Sequence, residues 1–315
     1  MDTHRRRAVQ RRLANLILPV VLVAWIAFLS IASPDFLTSQ NMFNVTRQVA
    51  VIGILALGQM LCLVTGNIDL SMGAFLGLFG AILAGLSLEM GFWPALGVAL
   101  PMAVAWGFMN GYLVSRGRGI SVIITLSTMY IARGLVLIYT DGRPIINFPR
   151  PYEFLGTGNV GPVPWPLITF AAVALILAYI LRYFAVGRHM YAVGGNRQAA
   201  TVCGISVTKV TIGVFVASAL LSALGSVVLL GRVASAQPNA GVGMELDSIA
   251  AVLIGGASVS GGAGGVGGTL VGVFMLGFIN NGLNLLGVSG FYQDVIKGLI
   301  ILLAVLVDTL QRRSR

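Results

Sequence analysis

Charge is what this chain has least of. Only 10% of its 315 residues are Asp, Glu, Lys or Arg, where a soluble domain carries about 25%. That shortage excludes an ordinary soluble protein. Cysteine is nearly missing too: Cys62 lies in an apolar run and Cys203 in a basic connecting segment. A disulfide framework and a cysteine metal site are both excluded, and no other metal-ligand spacing occurs. The two histidines, His4 and His189, sit in basic flanking segments, so no buried histidine relay is available. Lysine occurs only at 209 and 297, and no G-x-x-x-x-G-K-[ST] is present. A phosphate-cradling loop is therefore lacking, and no ATP is held by this chain. Nothing pairs a nucleophile with a base, which speaks against a hydrolytic enzyme. Carboxylates inside apolar runs are few, which speaks against proton or sodium coupling. Apolar and polar residues do not alternate, so a transmembrane barrel is also excluded.

What is there is apolar: 57% of the residues are hydrophobic and the mean hydropathy is +0.91. Runs of about 20 apolar residues, enough to cross the bilayer as helices, recur along the chain. The spans drawn from them are 13–32, 49–65, 72–88, 92–114, 120–140, 164–184, 210–231, 247–259, 269–288 and 294–310. That makes about ten, and the eighth is too short to cross alone. "MDTHRRRAVQRR" before the first run looks like a signal peptide, but 13–32 is long for an h-region of about 7–15 residues and reads as a retained span.

The net charge of +10 follows from topology rather than from nucleic-acid binding. With the N-terminus inside, fourteen of the twenty basic residues fall on inner segments and four, Arg47, Arg143, Arg150 and Arg232, on outer ones. Both termini are then cytoplasmic. An internal echo agrees with this. "GFMNGYLV" (107–114) returns as "GFINNGLNLLG" (277–287), and "ARGLVLI" (132–138) as "IKGLIIL" (296–302), after 170 and 164 residues. The two halves, 49–140 and 210–310, run in opposite directions, as in the inverted repeats of many transporters.

Three polar interruptions carry the candidate residues. In "VTGNIDLSMGAFLG" (64–77), Asn67, Asp69 and Ser71 break an apolar stretch. Gly66 ends one helix and Asp69 or Ser71 caps the next. The same break can line a pathway, because non-helical backbone is tolerated where it faces protein or water. A neutral solute needs hydrogen bonds rather than a counter-charge, so Asp69 reads as structural. "MYAVGGNRQAATVCGISVTK" (190–209) predicts a short helix with Asn196 as N-cap and Gly204 as its stop, either a plain connector or a docking element. In "MELDSIAAVLIGGASVSGGAGGVGG" (244–268), Glu245 and Asp247 read as first-turn acids, and the glycines as packing or hinge positions. Asn110, Asn280, Asn281 and Asn284 recur at the repeat-related positions, either as helix-to-helix bonds or as contacts to cargo. Arg133 and Lys297 need partners, and Asp294, one turn from Lys297, is the local one. The four tryptophans read as interface anchors or packing.

Several of these stretches together resemble the permease subunit of ribose-type simple-sugar ABC importers: "LVTGNIDLSMGAFLGL", "NGYLVSRGRGISVIITLSTMYIARGL", "YAVGGNRQAATVCGI", "MELDSIAAVLIGGASVSGGAGGVGGTLVGV" and "GFINNGLNLLGVSGFYQDVIKGLIILLAVLVD". Asn67 departs from the resemblance, since the family more often has glycine there. The resemblance implies an all-α, polytopic, type II ABC importer-like permease in the bacterial inner membrane. One transmembrane domain then covers 1–315, with a basic cytoplasmic tail at 1–12 and a cytoplasmic coupling loop at 185–209. Gly194, Gly195, Asn196, Arg197, Gln198, Ala199, Ala200 and Gly204 would form the ATPase-coupling element. Implied partners are a separate ATPase pair carrying ATP and Mg, an external sugar-binding protein, and a second permease copy or paralogue. Arg143 and Arg150, in the proline-rich stretch placed outside, are candidate contacts for the binding protein. No cofactor of the chain's own is implied. A branched-chain amino acid or nucleoside permease of the same superfamily, and an ion-coupled transporter, are the alternative readings.

Overall fold

The computed structural model describes residue 20, residues 22–117 and residues 120–313, the last with backbone only at 303–305 and 307–313. The expected tail at 1–12 and the start of the first span lie outside the described residues. The described chain is helical almost throughout. Seven helices are long and apolar enough to cross a membrane: α2 (Ser39–Val64), α3 (Met72–Met90), α4 (Phe92–Arg116), α5 (Ser121–Thr140), α7 (Trp165–Tyr183), α10 (Val207–Val233) and α12 (Val266–Leu285). The protein is a multi-pass membrane protein. A shorter apolar helix, α1 (Leu22–Ala32), precedes them, and α13 (Gly290–Arg313) closes the chain. Between these run α6 (Glu153–Thr157), a two-residue hairpin of β1 (Asn159–Val160) and β2 (Val163–Pro164), α8 (Ala185–Gly195), α9 (Arg197–Val202) and α11 (Met244–Ile254). The expected eighth span is α11, which at 11 residues is half of a crossing.

Burial sorts the helices. The apolar window of α2 is 89% buried, whereas those of α4, α5 and α7 are 28%, 28% and 17% buried. α2 is therefore the axis, apolar all round as a core helix must be. α10 packs on α2, α3 and α4, and α11 and α12 cover the remaining side of α2. Its start lies ten residues before the expected position 49, because the polar run Ser39–Arg47 is helical. Thr38 caps it by accepting from the Asn41 amide. Arg47 Nη2 donates to the Thr157 carbonyl at 2.7 Å and to Asn159 Oδ1 at 3.1 Å, tying α2 to the α6–hairpin segment.

Small residues set the close crossings. On α4, a Cβ at Gly107 or Gly111 would stand 2.5 Å from Val216 Cα or 2.6 Å from Ile212 Cα. α4 and α10 thus meet backbone to backbone, the approach that small residues permit where lipid supplies no hydrophobic drive. On α12, Gly268 and Gly272 lie in the same way against the Gly255 and Ala251 carbonyls of α11. The glycines expected to be packing or hinge positions thus divide. Gly255 and Gly268 pack, whereas Gly256, Gly261, Gly262 and Gly264 turn the chain with positive φ.

Gly272→Val should force α12 off α11, destabilising the protein by roughly 1–3 kcal/mol through overpacking. Gly267→Ala, at a position with open space around it, should be neutral or slightly stabilising. Thermal melts of the two purified variants separate these outcomes. Equal melting temperatures would mean that α11 and α12 do not need the glycine contact.

Candidate functional site

The segment 65–71 between α2 and α3 is irregular backbone with hydrophobic helices on both sides. Its polar groups call for internal partners, and the amides of Thr65, Gly66, Asn67, Ile68 and Ser71 have them. The Thr65 amide bonds back to Leu61 and Cys62, and the Gly66 amide to Leu63, with Gly66 at φ +73°. The Ile68 amide donates to Ser121 Oγ at 3.2 Å, and the Ile68 carbonyl accepts from Thr125 Oγ1 at 3.1 Å. Asp69 is 3% exposed. Its Oδ1 accepts from the Ser71 amide (2.9 Å) and from Ser71 Oγ (2.7 Å), and its Oδ2 accepts from Ser218 Oγ of α10 (2.8 Å). Ser71 Oγ accepts in turn from Asn110 Nδ2 of α4 at 2.9 Å and from Trp106 Nε1 at 3.4 Å. One carboxylate therefore joins the link to α10 directly and to α4 through a hydroxyl.

This corrects the expected capping. Ser71 occupies the N-cap position of α3 but makes no side-chain cap bond, because its hydroxyl is spent on Asp69. Asp69 bonds the Ser71 amide, one residue before the helix.

Asn67 is fully buried. Its Nδ2 donates to Thr65 Oγ1 at 3.0 Å and to the Thr65 carbonyl at 3.3 Å. Its Oδ1 accepts from Arg197 Nη2, 130 residues away, at 2.9 Å. Burial lowers the Arg197 guanidinium from its usual value, but an arginine stays charged, so the bond is charge-assisted.

Arg197 opens α9. Asn196 is its N-cap, accepting from the Ala199 amide at 2.9 Å, and Cys203 with Gly204 at φ +80° ends it, as expected of Gly204. Gln198 and Ala199 are exposed, and Ala200 is 4% exposed. Of the two alanines in the expected coupling element, Ala199 faces outward, whereas Ala200 closes the helix onto the bundle. At the α8–α9 junction Gly194 packs on the Val64 carbonyl at the end of α2, while Gly195 is exposed. Tyr191 of α8 donates to the Gly264 carbonyl at 2.9 Å. Burial pushes its phenol up, which keeps the proton on this donor.

The other candidates do not gather here. Asn281 exchanges bonds with Asn41 at 3.0 and 2.7 Å, near the opposite end of α2. Asn284 Oδ1 accepts from Gln293, and Asn280 is buried. Asn110 and the three α12 asparagines thus serve different helix contacts. Lys297 pairs with Asp247 of α11 at 3.3 Å, which corrects the expected Asp294 partner. The ion pair also takes Asp247 away from capping α11, and Glu245 Oε1 accepts from the Gly243 amide at 3.3 Å. Arg133 Nη1 donates to the Ala240 carbonyl at 2.8 Å, in the link before α11. Arg143 is exposed, and Arg150 forms an ion pair with Glu153 at 3.6 Å. Among the described residues no cluster of metal-ligating side chains occurs.

Sequence reasoning missed Ser218, Ser121, Thr125 and Tyr191. One signal was present: Ser218, Ser222 and Ser226 recur every fourth residue in α10, a polar stripe on one face of an otherwise apolar helix.

The family model described as "Branched-chain amino acid transport system / permease component" matches residues 41–305, which include every bond of the link, the α8–α9 junction and the glycine loop. The chain belongs to this permease family. It is 46% identical to the ribose import permease protein of Bacillus subtilis (strain 168), over 90% of this chain and 89% of the relative. It is 42% identical to the ribose import permease protein of Escherichia coli (strain K12), over 92% of each chain. It is 34% identical to the L-arabinose ABC transporter permease protein of Azospirillum brasilense, over 94% and 88%. No solved structure matches the chain.

Asp69→Ala should strand three donors, Ser71 N, Ser71 Oγ and Ser218 Oγ, and destabilise the fold by on the order of 3 kcal/mol. Asp69→Asn, which keeps an acceptor, should fall between the two. Thermal unfolding in detergent reads the order; an alanine variant as stable as the parent would show that the carboxylate does not hold the link.

Proposed function

We propose that this chain is the membrane-spanning subunit of an ATP-driven, binding-protein-dependent importer of a simple sugar. The observation that carries the reading is its 46% identity, over nine-tenths of both chains, to a ribose import permease. The polar groups of the 65–71 link fit it as well. They are hydroxyls and amides, and the one carboxylate is already saturated by three donors. The amino-acid transport named in the family description is the second reading. A zwitterionic cargo would call for a free counter-charge, and along the link Asp69 and Arg197 are both engaged.

In this reading the chain hydrolyses nothing. A separate ATPase docks on α9, an external binding protein delivers the sugar, and a second permease copy or a paralogue completes the transporter. Both termini lie in the cytoplasm, and 49–140 and 210–310 act as inverted halves. Arg133 and Lys297, at matching places in the two halves, both bond to the segment 240–247, at Ala240 and at Asp247. ATP binding biases one of two states only if the motor binds them with different affinity. A short capped helix whose exposed face carries Gln198 and Ala199 offers such a contact.

Copurification of an ATPase with the tagged chain tests the reading. Ala199→Trp should leave membrane insertion normal, weaken that association at least about tenfold, or roughly 1.4 kcal/mol, and abolish sugar uptake. Wild-type binding and uptake in this variant would remove α9 from the coupling role. Ala200→Trp is the less specific variant, because its site is buried.

Charge reversal at both Arg143 and Arg150 should slow delivery by the binding protein and change its salt dependence, since rim charges tune association. Transport rates unchanged across salt concentrations would reduce these residues to loop charges.

A further inference from the structure

The α8–α9 junction touches both halves of the chain at one end of the bundle. Gly194 lies on the Val64 carbonyl, and a Cβ there would also stand 2.6 Å from the Gly262 amide. That amide donates to the same Val64 carbonyl at 2.9 Å. A Cβ on Gly261 would stand 2.8 Å from the Gly194 carbonyl and from the Gly66 backbone. Three backbones therefore meet with no side chain between them: the end of α2, the α8–α9 junction and the glycine loop between α11 and α12. The Gly262–Val64 bond ties the glycine loop to the end of α2, whereas the α8–α9 junction rests on both by close backbone contact.

Two side-chain bonds lock what the glycines bring together. Arg197 holds Asn67 of the α2–α3 link at 2.9 Å, and Tyr191 holds Gly264 of the α11–α12 loop at 2.9 Å. Both ends of the Asn67 amide are occupied, so Arg197 cannot move without dragging the link or losing a charge-assisted bond. Two and four residues further on, the same link reaches α10 through Asp69 and α4 through Ser71. A displacement of α9 thus has a bonded route into the first half through Asn67, and another into the second half through Gly264.

We propose that Arg197 and Tyr191 are positioning residues that transmit the motion of α9 to the two helix breaks, Arg197 to 65–71 and Tyr191 to 255–265. The proposal rests on the coupling role given to α9 above. It separates docking, which belongs to the exposed face of α9, from transmission, which belongs to Arg197 of α9 and Tyr191 of the adjoining α8. Asn67 is then an active part of the device. Its amide gives the link a handle that a glycine at this position would lack.

The test uses the complete transporter in proteoliposomes, with its ATPase and binding protein and with D-ribose as the probe. Sugar moved per ATP hydrolysed is the readout. Asn67→Ala, outside α9, should keep ATPase association and basal hydrolysis but lower this ratio about tenfold, within the range that residues between coupled sites command, and Arg197→Ala should lower it by the same factor. The double variant should be no worse than either single one, because both remove the same bond. Arg197→Lys should recover most of the ratio. Tyr191→Phe, which deletes only the hydroxyl, should lower it by a smaller factor. A wild-type ratio in Arg197→Ala, or losses that multiply in the double variant, would overturn transmission through this bond. Loss of ATPase association in Arg197→Ala would overturn it differently, by making the residue part of the dock. Failure of the unmutated chain to bind an ATPase or move ribose would instead defeat the transporter reading, and the transmission proposal with it.

Discussion

Everything near the centre of this protein depends on how the irregular seven-residue link 65–71 is kept inside a hydrophobic bundle. An unpaired peptide group there costs several kcal/mol, so the link 65–71 survives only because neighbouring helices supply its partners. Asp69 is the key acceptor. Its two oxygens take three donors, and through them the link is bonded to α10 and, by way of Ser71, to α4. Buried charge is tolerated where it is this fully hydrogen-bonded. The carboxylate thus pins the link to its neighbours, and the interruption it holds becomes a fixed object that other parts of the chain can grip.

The glycines do the complementary work. At the α4–α10 and α11–α12 crossings they remove side chains so that backbones approach directly, and at the α8–α9 junction they allow three segments to converge. Close approach without side chains gives shape but little direction. Direction comes from a few long-range polar bonds, of which Arg197–Asn67 is the one that crosses between the short helix α9 and the link. On the proposed reading, this division between close contacts and specific locks is what lets an importer move between two states without coming apart.

Much of the architecture was legible in the sequence because its signals are local. The long apolar runs gave the crossing helices to within a few residues, except at α2. There, polar residues from Ser39 to Arg47 hid the first turns, because their partners, such as Thr157 and Asn159, lie more than a hundred residues away. Asn196 and Gly204 marked α9 correctly, since caps and left-handed stops are written in adjacent residues. Tertiary pairings were not legible. Lys297 bypasses the acid one turn away for Asp247, fifty residues distant, and Ser71 gives up its cap for Asp69. Helical spacing says which residues share a face, but not which face meets which helix, so the inward packing of Ala200 was not legible.

The burial of α2 also has a consequence for how the molecule is made. The helix that forms the axis is synthesised early, yet α10, α11 and α12, which with α7 enclose it, come in the last third of the chain. Until they arrive, α2 has only lipid and its early neighbours around it, and Asp69 waits for Ser218, 149 residues downstream. The first half of the chain therefore inserts without being able to finish its own interior. Completion of the protein is a late enclosing step, and a chain stopped before α10 would leave in the membrane an acid with one of its oxygens unanswered.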